Sequence, residues 1–177
     1  EFAAHNQIRL YRNGEGVLHQ VVAEEESLWP GMIIVGADGH VATAGAFGAL
    51  AFSVSGPRLA GVIGSGTYQM DVPRQVVIAV SGKPSPQIMA RDLAMEILRS
   101  HGDQVRDKAV VLTGSVIDQL SISEKMALCN FLPEGGVCTA FVLPQGERSA
   151  WDIEIEAGEV RPLVALPGNK LAFAGPD

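Results

Sequence analysis

The amino-acid sequence predicts an α/β fold made of two small lobes with mixed or parallel sheets. Four apolar runs bounded by turn residues predict buried strands, because the strands of parallel sheets are covered on both faces. Helical patterns lie between these runs, and such alternation is typical of parallel or mixed sheets. The four predicted strands are Met32–Ala37, Gln75–Val80, Lys108–Thr113 and Val137–Leu143.

The first part of the chain gives weaker local patterns. Arg9–Arg12 is a strand candidate that the turn pair Asn13-Gly14 closes. The run Met32–Ala37 follows the turn Trp29-Pro30-Gly31 and leads directly to Asp38-Gly39-His40. Two stretches rich in small residues come next, either of which could be helical: Gly45–Val54 and Pro57–Ile63.

The clearest helix is predicted after the second strand. Ser85 is its expected N-cap, Pro86 suits the first position, and Gly102 suits the C-terminal stop. Apolar residues recur on one face, at Ala90, Leu93, Ala94, Ile97 and Leu98. Charged residues take the other face, at Arg91, Asp92, Glu96 and Arg99.

The last third of the chain contains a predicted helix over Ser123–Cys129, which opens with a capping-box-like serine. In the tail, Trp151, Ile153 and Ile155 alternate with other residues, many of them charged, and this pattern predicts a half-exposed strand. We place the lobe boundary near Ser81–Pro84. The predicted division is a first α/β lobe over 1–82, a second α/β lobe over 83–147, and a tail strand over 148–177 that returns to the body.

Composition argues against several classes of protein. The formal net charge is −7 and there is no basic stripe, so a nucleic-acid partner is not expected. The longest apolar run, Ala42–Val54, is too short to span a membrane. Cys129 and Cys138 form neither a disulfide framework nor a CxxC metal knuckle, so we expect buried thiols in a cytoplasmic protein.

Because the chain is rather apolar and begins at Glu1 rather than Met, we expect a longer parent protein; a processed N-terminus is the alternative.

Three short segments carry side chains suited to acid–base chemistry. Asp38 and His40 stand two apart at the carboxyl end of a predicted strand, where ligand sites of α/β sheets gather, with Gly39 between them. Alone, this pattern also fits a turn whose aspartate caps the next helix. His19 lies in an apolar segment, where a histidine is more often a core residue than a catalytic one. Glu134, before the fourth strand, is by itself a turn residue.

Taken together, these segments resemble the aconitase superfamily, and most of all the large subunits of 3-isopropylmalate dehydratase and homoaconitase. That family has a G-x-x-H-Q segment, a P-G strand ending in D-S-H-T, a GAFGALAF-like run and an I-C-N-M-x-x-E segment. The matching stretches here, in the same order, are Gly14–Gln20, Pro30–His40, Gly45–Phe52, and Met126–Asn130 with Glu134. The resemblance implies two three-layer α/β lobes, as in the N-terminal domains of aconitases.

The resemblance also implies a function. Family members are hydro-lyases, several of them in amino-acid biosynthesis, that dehydrate and rehydrate 2-hydroxy di- or tricarboxylic acids with a [4Fe-4S] cluster as Lewis acid. Carried over by position, His19 and Asp38 form an interacting pair, and His40 faces the substrate hydroxyl or carboxylate beside Gly39. Glu134 is the carboxylate near the cluster-bound water. These four side chains are the candidate catalytic residues, and Gly39 and His40 are the candidate substrate-binding residues.

The chain departs from the family pattern in ways that matter. Gly39 and Val41 replace a serine and a threonine, and Cys129 matches a cysteine that is not a cluster ligand in the family. The cluster cysteines are absent, as are an upstream Asp-His pair and the C-terminal swivelling domain, so no residue here is assigned to a metal. We therefore expect the chain alone to be inactive and to need the remaining domains of its parent or a partner subunit.

Two alternatives remain open at the level of the sequence. The chain could be a degenerate, non-catalytic relative that serves as a binding or assembly module. It could also hold a freestanding metal ion through His19, Asp38, His40 and Glu134.

Overall fold

The structure, a computed structural model, describes residues 1–25, 27–143 and 150–167 and the short strand at 173–174. The helices are α1 (Phe2–His5), α2 (Leu18–Glu25), α3 (Gly56–Ser65), α4 (Ala90–Val105), α5 (Ser115–Gln119) and α6 (Ile122–Phe131). The first 3₁₀ helix is Val41–Phe47 and the second is Leu132–Gly135. The strands are β1 (Ile33–Gly36), β2 (Leu50–Ser53), β3 (Gln75–Ser81), β4 (Ala109–Thr113), β5 (Thr139–Val142), β6 (Ile153–Glu156), β7 (Val164–Ala165) and β8 (Phe173–Ala174). Helices and parallel sheets together confirm the predicted α/β class.

The main sheet is parallel, with strand order β5-β4-β3-β6. One face, which includes Ile78 and Leu112, packs against the apolar side of α4. The other face, which includes Val77 and Val111, packs toward Leu50 of β2. Burial on both faces explains the continuous apolar runs, and the strands predicted over 75–80, 108–113 and 137–143 are confirmed.

The predicted strand at Met32–Ala37 is confirmed as β1, but its predicted full burial is wrong. Strand β1 pairs in parallel with β2, in a register that sets Ile33 opposite Leu50. Ile33 is 68% exposed, so the face of β1 that carries it is not covered at this position by the described residues. In the stretch Gly45–Val54, the first three residues end the first 3₁₀ helix and Leu50–Ser53 form β2, whereas Pro57–Ile63 lies within α3.

The strand proposed at Arg9–Arg12 is wrong. The backbone amide of Arg12 donates a 2.6 Å hydrogen bond to the carboxylate of Glu15, so the Asn13-Gly14 turn is local and starts no ladder.

Helix α4 begins later than its sequence suggests. Ser85 is not its N-cap; the Ser85 carbonyl accepts from the Ile88 amide in a separate turn. The helix starts at Ala90, where the Asp92 carboxylate accepts a 2.9 Å bond from the Met89 amide. It ends at Val105, so Gly102 does not stop it.

Asp92 was predicted on the solvent face of α4, and this is wrong. Its side chain is buried, and its second carboxylate oxygen accepts a 3.0 Å bond from the Leu163 amide. The aspartate therefore joins the helix to the returning tail.

Helix α6 is confirmed, starting slightly before the predicted Ser123. Ser121 caps it: its hydroxyl accepts from the Glu124 amide, and the Glu124 carboxylate accepts from the Ser121 amide at 2.8 Å. The Ser121 hydroxyl also donates a 2.6 Å bond to this carboxylate, and the bonds from the hydroxyl and the amide of Ser121 lower the pKa of Glu124. The helix runs directly into the second 3₁₀ helix, which carries Glu134.

The division into two lobes stays a prediction. The boundary at residue 82 assigns β3 to the first lobe, whereas β3 pairs with β4 and with β6 of the tail. Within β6, Ile153 and Ile155 are buried and the two glutamates beside them are exposed, as the alternation predicts. Residues 144–149, 168–172 and 175–177 of the second lobe and tail lie outside the described residues. Among the described helices, none is long and apolar enough to cross a membrane.

Candidate active site

Three separate segments bring four acid–base side chains together. Strand β1 ends at Gly36, and the turn after it carries Asp38 and His40. Helix α2 packs against the first 3₁₀ helix and presents His19 from its first turn. The second 3₁₀ helix presents Glu134 from the other side.

The four side chains form a line of alternating imidazoles and carboxylates. His19 Nδ1 lies 3.1 Å from Asp38 Oδ2, a hydrogen-bond distance. His40 Nδ1 lies 3.7 Å from Asp38 Oδ1, and His40 Nε2 lies 3.3 Å from Glu134 Oε1. The two imidazole centroids are 5.3 Å apart. All four candidate catalytic residues are therefore neighbours, and their catalytic roles remain predictions.

The line of side chains is accessible rather than sealed. The exposed side-chain fractions are 24% for His19, 19% for Asp38, 41% for His40 and 36% for Glu134. Water therefore screens these ion pairs in part, and their contribution to stability is modest. The exposed edge of His40 is open to a ligand.

Asp38 anchors the arrangement. Burial raises the pKa of its carboxyl, but the opposing effects are larger in sum: a 2.9 Å bond from the His40 amide, the bond to His19 and the charges of both imidazoles. The pKa of Asp38 is lowered as a result, so the carboxylate is ionised at neutral pH. An ionised Asp38 can orient both histidines.

We expect Asp38→Asn to destabilise the protein by about 1–2 kcal/mol at neutral pH, because the amide leaves its histidine partners without an ionised acceptor. The pKa of Asp38 is lower in the folded than in the unfolded state, so its stabilisation is complete above the unfolded value of about 3.9 and is lost as the pH falls through the folded value. Urea unfolding of wild type and variant across this range measures the difference. Asp71→Asn, at an exposed carboxylate, is the control. A difference that stays constant down to the most acidic pH would contradict the expectation.

Gly39 lies between the two key residues without a structural need for glycine. A Cβ built on Gly39 meets no atom within 4 Å, and its φ lies outside the left-handed region. Gly39 lines a cavity of about 540 Å³ together with Glu134, Ser53 and Asp107. The bare backbone at Gly39 therefore leaves room for a ligand directly beside His40.

The charge of this cavity is one-sided. Its lining includes the carboxylates of Asp107 and Glu134, and no lysine or arginine is among the described residues that line it. Such a cavity suits a proton donor, but it does not by itself attract an anion.

Two polar residues at the site were not predicted from the sequence. The Thr43 hydroxyl donates a 2.7 Å bond to the His40 carbonyl, and the Asn130 amide donates a 2.8 Å bond to the Thr43 hydroxyl. Asn130 lies within a segment that carries the resemblance and Thr43 lies between two of them, but no local spacing indicates that they meet.

The cysteines do not fit an iron–sulfur cluster. A cluster is held by several thiolates, and this chain has two cysteines. Burial raises the pKa of Cys129 to about 12, and burial together with the charge of Asp107 raises the pKa of Cys138. Both thiols therefore stay protonated at neutral pH, the opposite of what a ligand needs.

A divalent ion fits the histidine–carboxylate group better than it fits the cysteines. His19, Asp38 and His40 each offer a ligand atom, and these atoms all lie within 4.8 Å of one another. Imidazole and carboxylate are common ligands of zinc and of neighbouring transition metals.

Comparison with known proteins gives consistent matches over most of the chain. The family model described as "Aconitase family (aconitate hydratase)" matches residues 1–167. The 3-isopropylmalate dehydratase large subunit 2 of Methanopyrus kandleri is 35% identical over an alignment of 174 residues, and the match covers 94% of this chain and 43% of that protein. The probable methanogen homoaconitase large subunit of Methanothermobacter thermautotrophicus is 35% identical over 146 residues, covering 81% of this chain and 34% of that protein.

A bacterial protein matches in the same way. The 3-isopropylmalate dehydratase large subunit 1 of Deinococcus radiodurans is 33% identical over 175 residues, covering 98% of this chain and 39% of that protein. The chain thus spans less than half the length of these curated relatives.

Proposed function

The chain belongs to the aconitase family, and from this membership we propose that it is part of a hydro-lyase that acts on a 2-hydroxy di- or tricarboxylic acid. The names of its relatives, a dehydratase and a homoaconitase, support this reaction class. The observation that carries the proposal is the contact line from His19 through Asp38 and His40 to Glu134, which joins segments far apart in the sequence.

The line of side chains is suited to moving one proton at a departing hydroxyl. A neutral imidazole has a single N–H, and both ring nitrogens of His40 face carboxylates. A proton held between His40 Nε2 and Glu134 Oε1 lies beside the cavity, at the end that a ligand can reach. Asp38, which is hydrogen-bonded to His19 and to the His40 amide, orients the His40 ring from its Nδ1 side.

During dehydration the C–O bond breaks and its electron pair leaves with the oxygen. The His40–Glu134 pair supplies the proton that lets this oxygen depart as water, and it takes a proton from water when the reaction runs in reverse. The proton on the neighbouring carbon goes to a base outside these 177 residues. The departing charge is thereby neutralised by groups of this chain.

The described part of this cavity is not suited to hold a polyanionic substrate. Asp107 and Glu134 repel the carboxylates of such a substrate, and no cation lines the described cavity. We propose that cationic side chains and the cluster ligands belong to the remaining domains of the parent or to a partner subunit. The mismatch between the two cysteines and a cluster supports this division.

An assay of the assembled enzyme tests the proposal. The chain is combined with its remaining parts and the loss of water from 2-hydroxy di- and tricarboxylic acids is followed by the absorbance of the unsaturated product. Reversible dehydration supports the proposed function. Binding of the acid without turnover in a fully assembled enzyme would favour a degenerate relative that serves as a binding module.

A divalent metal site is the second candidate, favoured by the spacing of ligand atoms at His19, Asp38 and His40. Calorimetric titration of the chain with Zn²⁺ or Co²⁺ separates the two readings. Under the first proposal, tight binding is absent. Tight binding that His19→Ala abolishes and His101→Ala preserves would favour the metal site.

A further inference from the structure

The turn that carries His40 is tied to helix α6 by a short hydrogen-bonded connection. The Thr43 hydroxyl donates to the His40 carbonyl at 2.7 Å, and the Thr43 amide donates to the same carbonyl at 3.0 Å. The Asn130 side-chain amide donates to the Thr43 hydroxyl at 2.8 Å. The connection therefore runs from α6 to the backbone of His40.

The single proton of the Thr43 hydroxyl determines which group donates and which accepts in these hydrogen bonds. A hydroxyl has one proton, and that of Thr43 is used on the His40 carbonyl, so its oxygen is left to accept. Only the NH₂ end of Asn130 can then face it, which determines the orientation of the amide. Thr43 is 2% exposed, so water does not replace either partner easily.

The same two segments also meet at the contact between His40 and Glu134. Asn130 is the next-to-last residue of α6 and Glu134 lies one turn farther along the chain, whereas His40 and Thr43 share the start of the first 3₁₀ helix. Two links therefore join these segments: Asn130 to Thr43, and Glu134 to His40. The first link is short and mostly buried, and the second is longer and partly exposed. The Asn130–Thr43 hydrogen bond is therefore placed to set the distance between His40 and Glu134.

We propose that Thr43 and Asn130 are positioning residues, which hold His40 at the distance from Glu134 that proton transfer needs. The catalytic meaning of this inference rests on the proposed function. The structural part of the inference is that the His40–Glu134 contact depends on the Thr43 hydroxyl. This dependence can be measured without enzyme turnover.

Histidine ring ¹⁵N NMR of the full chain, with selective labelling, provides the test. In the wild type, Glu134→Gln should shift the ring signals of His40. Thr43→Val removes the hydroxyl at nearly constant volume, so it should itself shift these signals and should reduce the effect of Glu134→Gln to less than half. Thr43→Ser keeps the hydroxyl and should restore the wild-type behaviour.

Thr139→Val is the matched control. Thr139 is fully buried and its hydroxyl donates a 2.8 Å bond to the Ala51 carbonyl, so the control removes an equivalent bond that involves neither His40 nor Glu134. It should leave the His40 signals unchanged. If Thr43→Val does not fold, Asn130→Asp takes its place, because it sets an oxygen against the Thr43 oxygen without loss of bulk.

The proposal is overturned if Thr43→Val leaves the response of His40 to Glu134→Gln intact, or if Thr139→Val alters His40 equally. In the assembled enzyme, Thr43→Val should lower kcat by about 10- to 100-fold with little change in KM. An enzyme without turnover whose His40 signals still respond as expected would contradict the proposed function and leave the positioning role standing.

Discussion

His40→Gln should lower kcat of the assembled hydro-lyase by about 10²–10⁴-fold, the usual contribution of a positioned acid–base group. Glutamine keeps an amide donor and a similar length, but it cannot take up and release a proton near neutral pH. His40 contacts Glu134, which lines the open cavity, so its loss removes the proton source at the departing hydroxyl. Initial rates of dehydration, measured with saturating substrate, report the change.

The control for this prediction is His101→Gln in the exposed part of α4, which should leave kcat unchanged. Glu134→Gln should reproduce the loss in part, because His40 keeps its contact with Asp38. A His40→Gln enzyme with wild-type kcat would remove His40 from the proposed chemistry.

Gly45→Ala should destabilise the fold by about 3 kcal/mol or more, at or above the upper end of the usual cost of overpacking. A Cβ at Gly45 would lie 1.8 Å from the Ala140 carbonyl oxygen and 2.9 Å from the Phe141 Cα. Both are backbone atoms of β5 in the main sheet, so they cannot rotate away as a side chain could. The first 3₁₀ helix would have to move off the sheet, with the His40 turn attached to it.

Urea unfolding of Gly45→Ala measures this loss against a matched glycine. Gly61 lies inside α3, and a Cβ there meets nothing within 4 Å. Gly61→Ala should therefore be neutral or stabilising by up to about 1 kcal/mol, because alanine favours a helix interior. Equal stability of the two variants would show that the contact at Gly45 is less rigid than its geometry indicates.

The main sheet could be predicted because its strands are buried on both faces and therefore apolar throughout. The start of α4 could not, because Ser85-Pro86 has the composition of a helix N-terminus and the deciding interaction is made elsewhere. Asp92 bonds both the Met89 amide and the Leu163 amide, and the second partner lies far along the chain. A local pattern does not contain that contact.

In the candidate site too, some residues could be predicted from the local sequence and others could not. Asp38 and His40 stand out locally as a carboxylate and an imidazole at a strand end, whereas His19 and Glu134 gain meaning only from the order of segments shared with a family. Asn130 lies in one of those segments and Thr43 lies between two of them, but a buried threonine and a helical asparagine are common. Their contact depends on how α6 packs against the first 3₁₀ helix.

Strand β1 has a consequence for handling the protein. Within the described residues it pairs with β2 alone, so its other edge has no strand partner there, and the side chain of Ile33 is exposed. An open, apolar strand edge of this kind templates pairing with other chains. Preparations of these 177 residues on their own should therefore self-associate as concentration rises, and a polypeptide segment that lies along β1 should keep them dispersed.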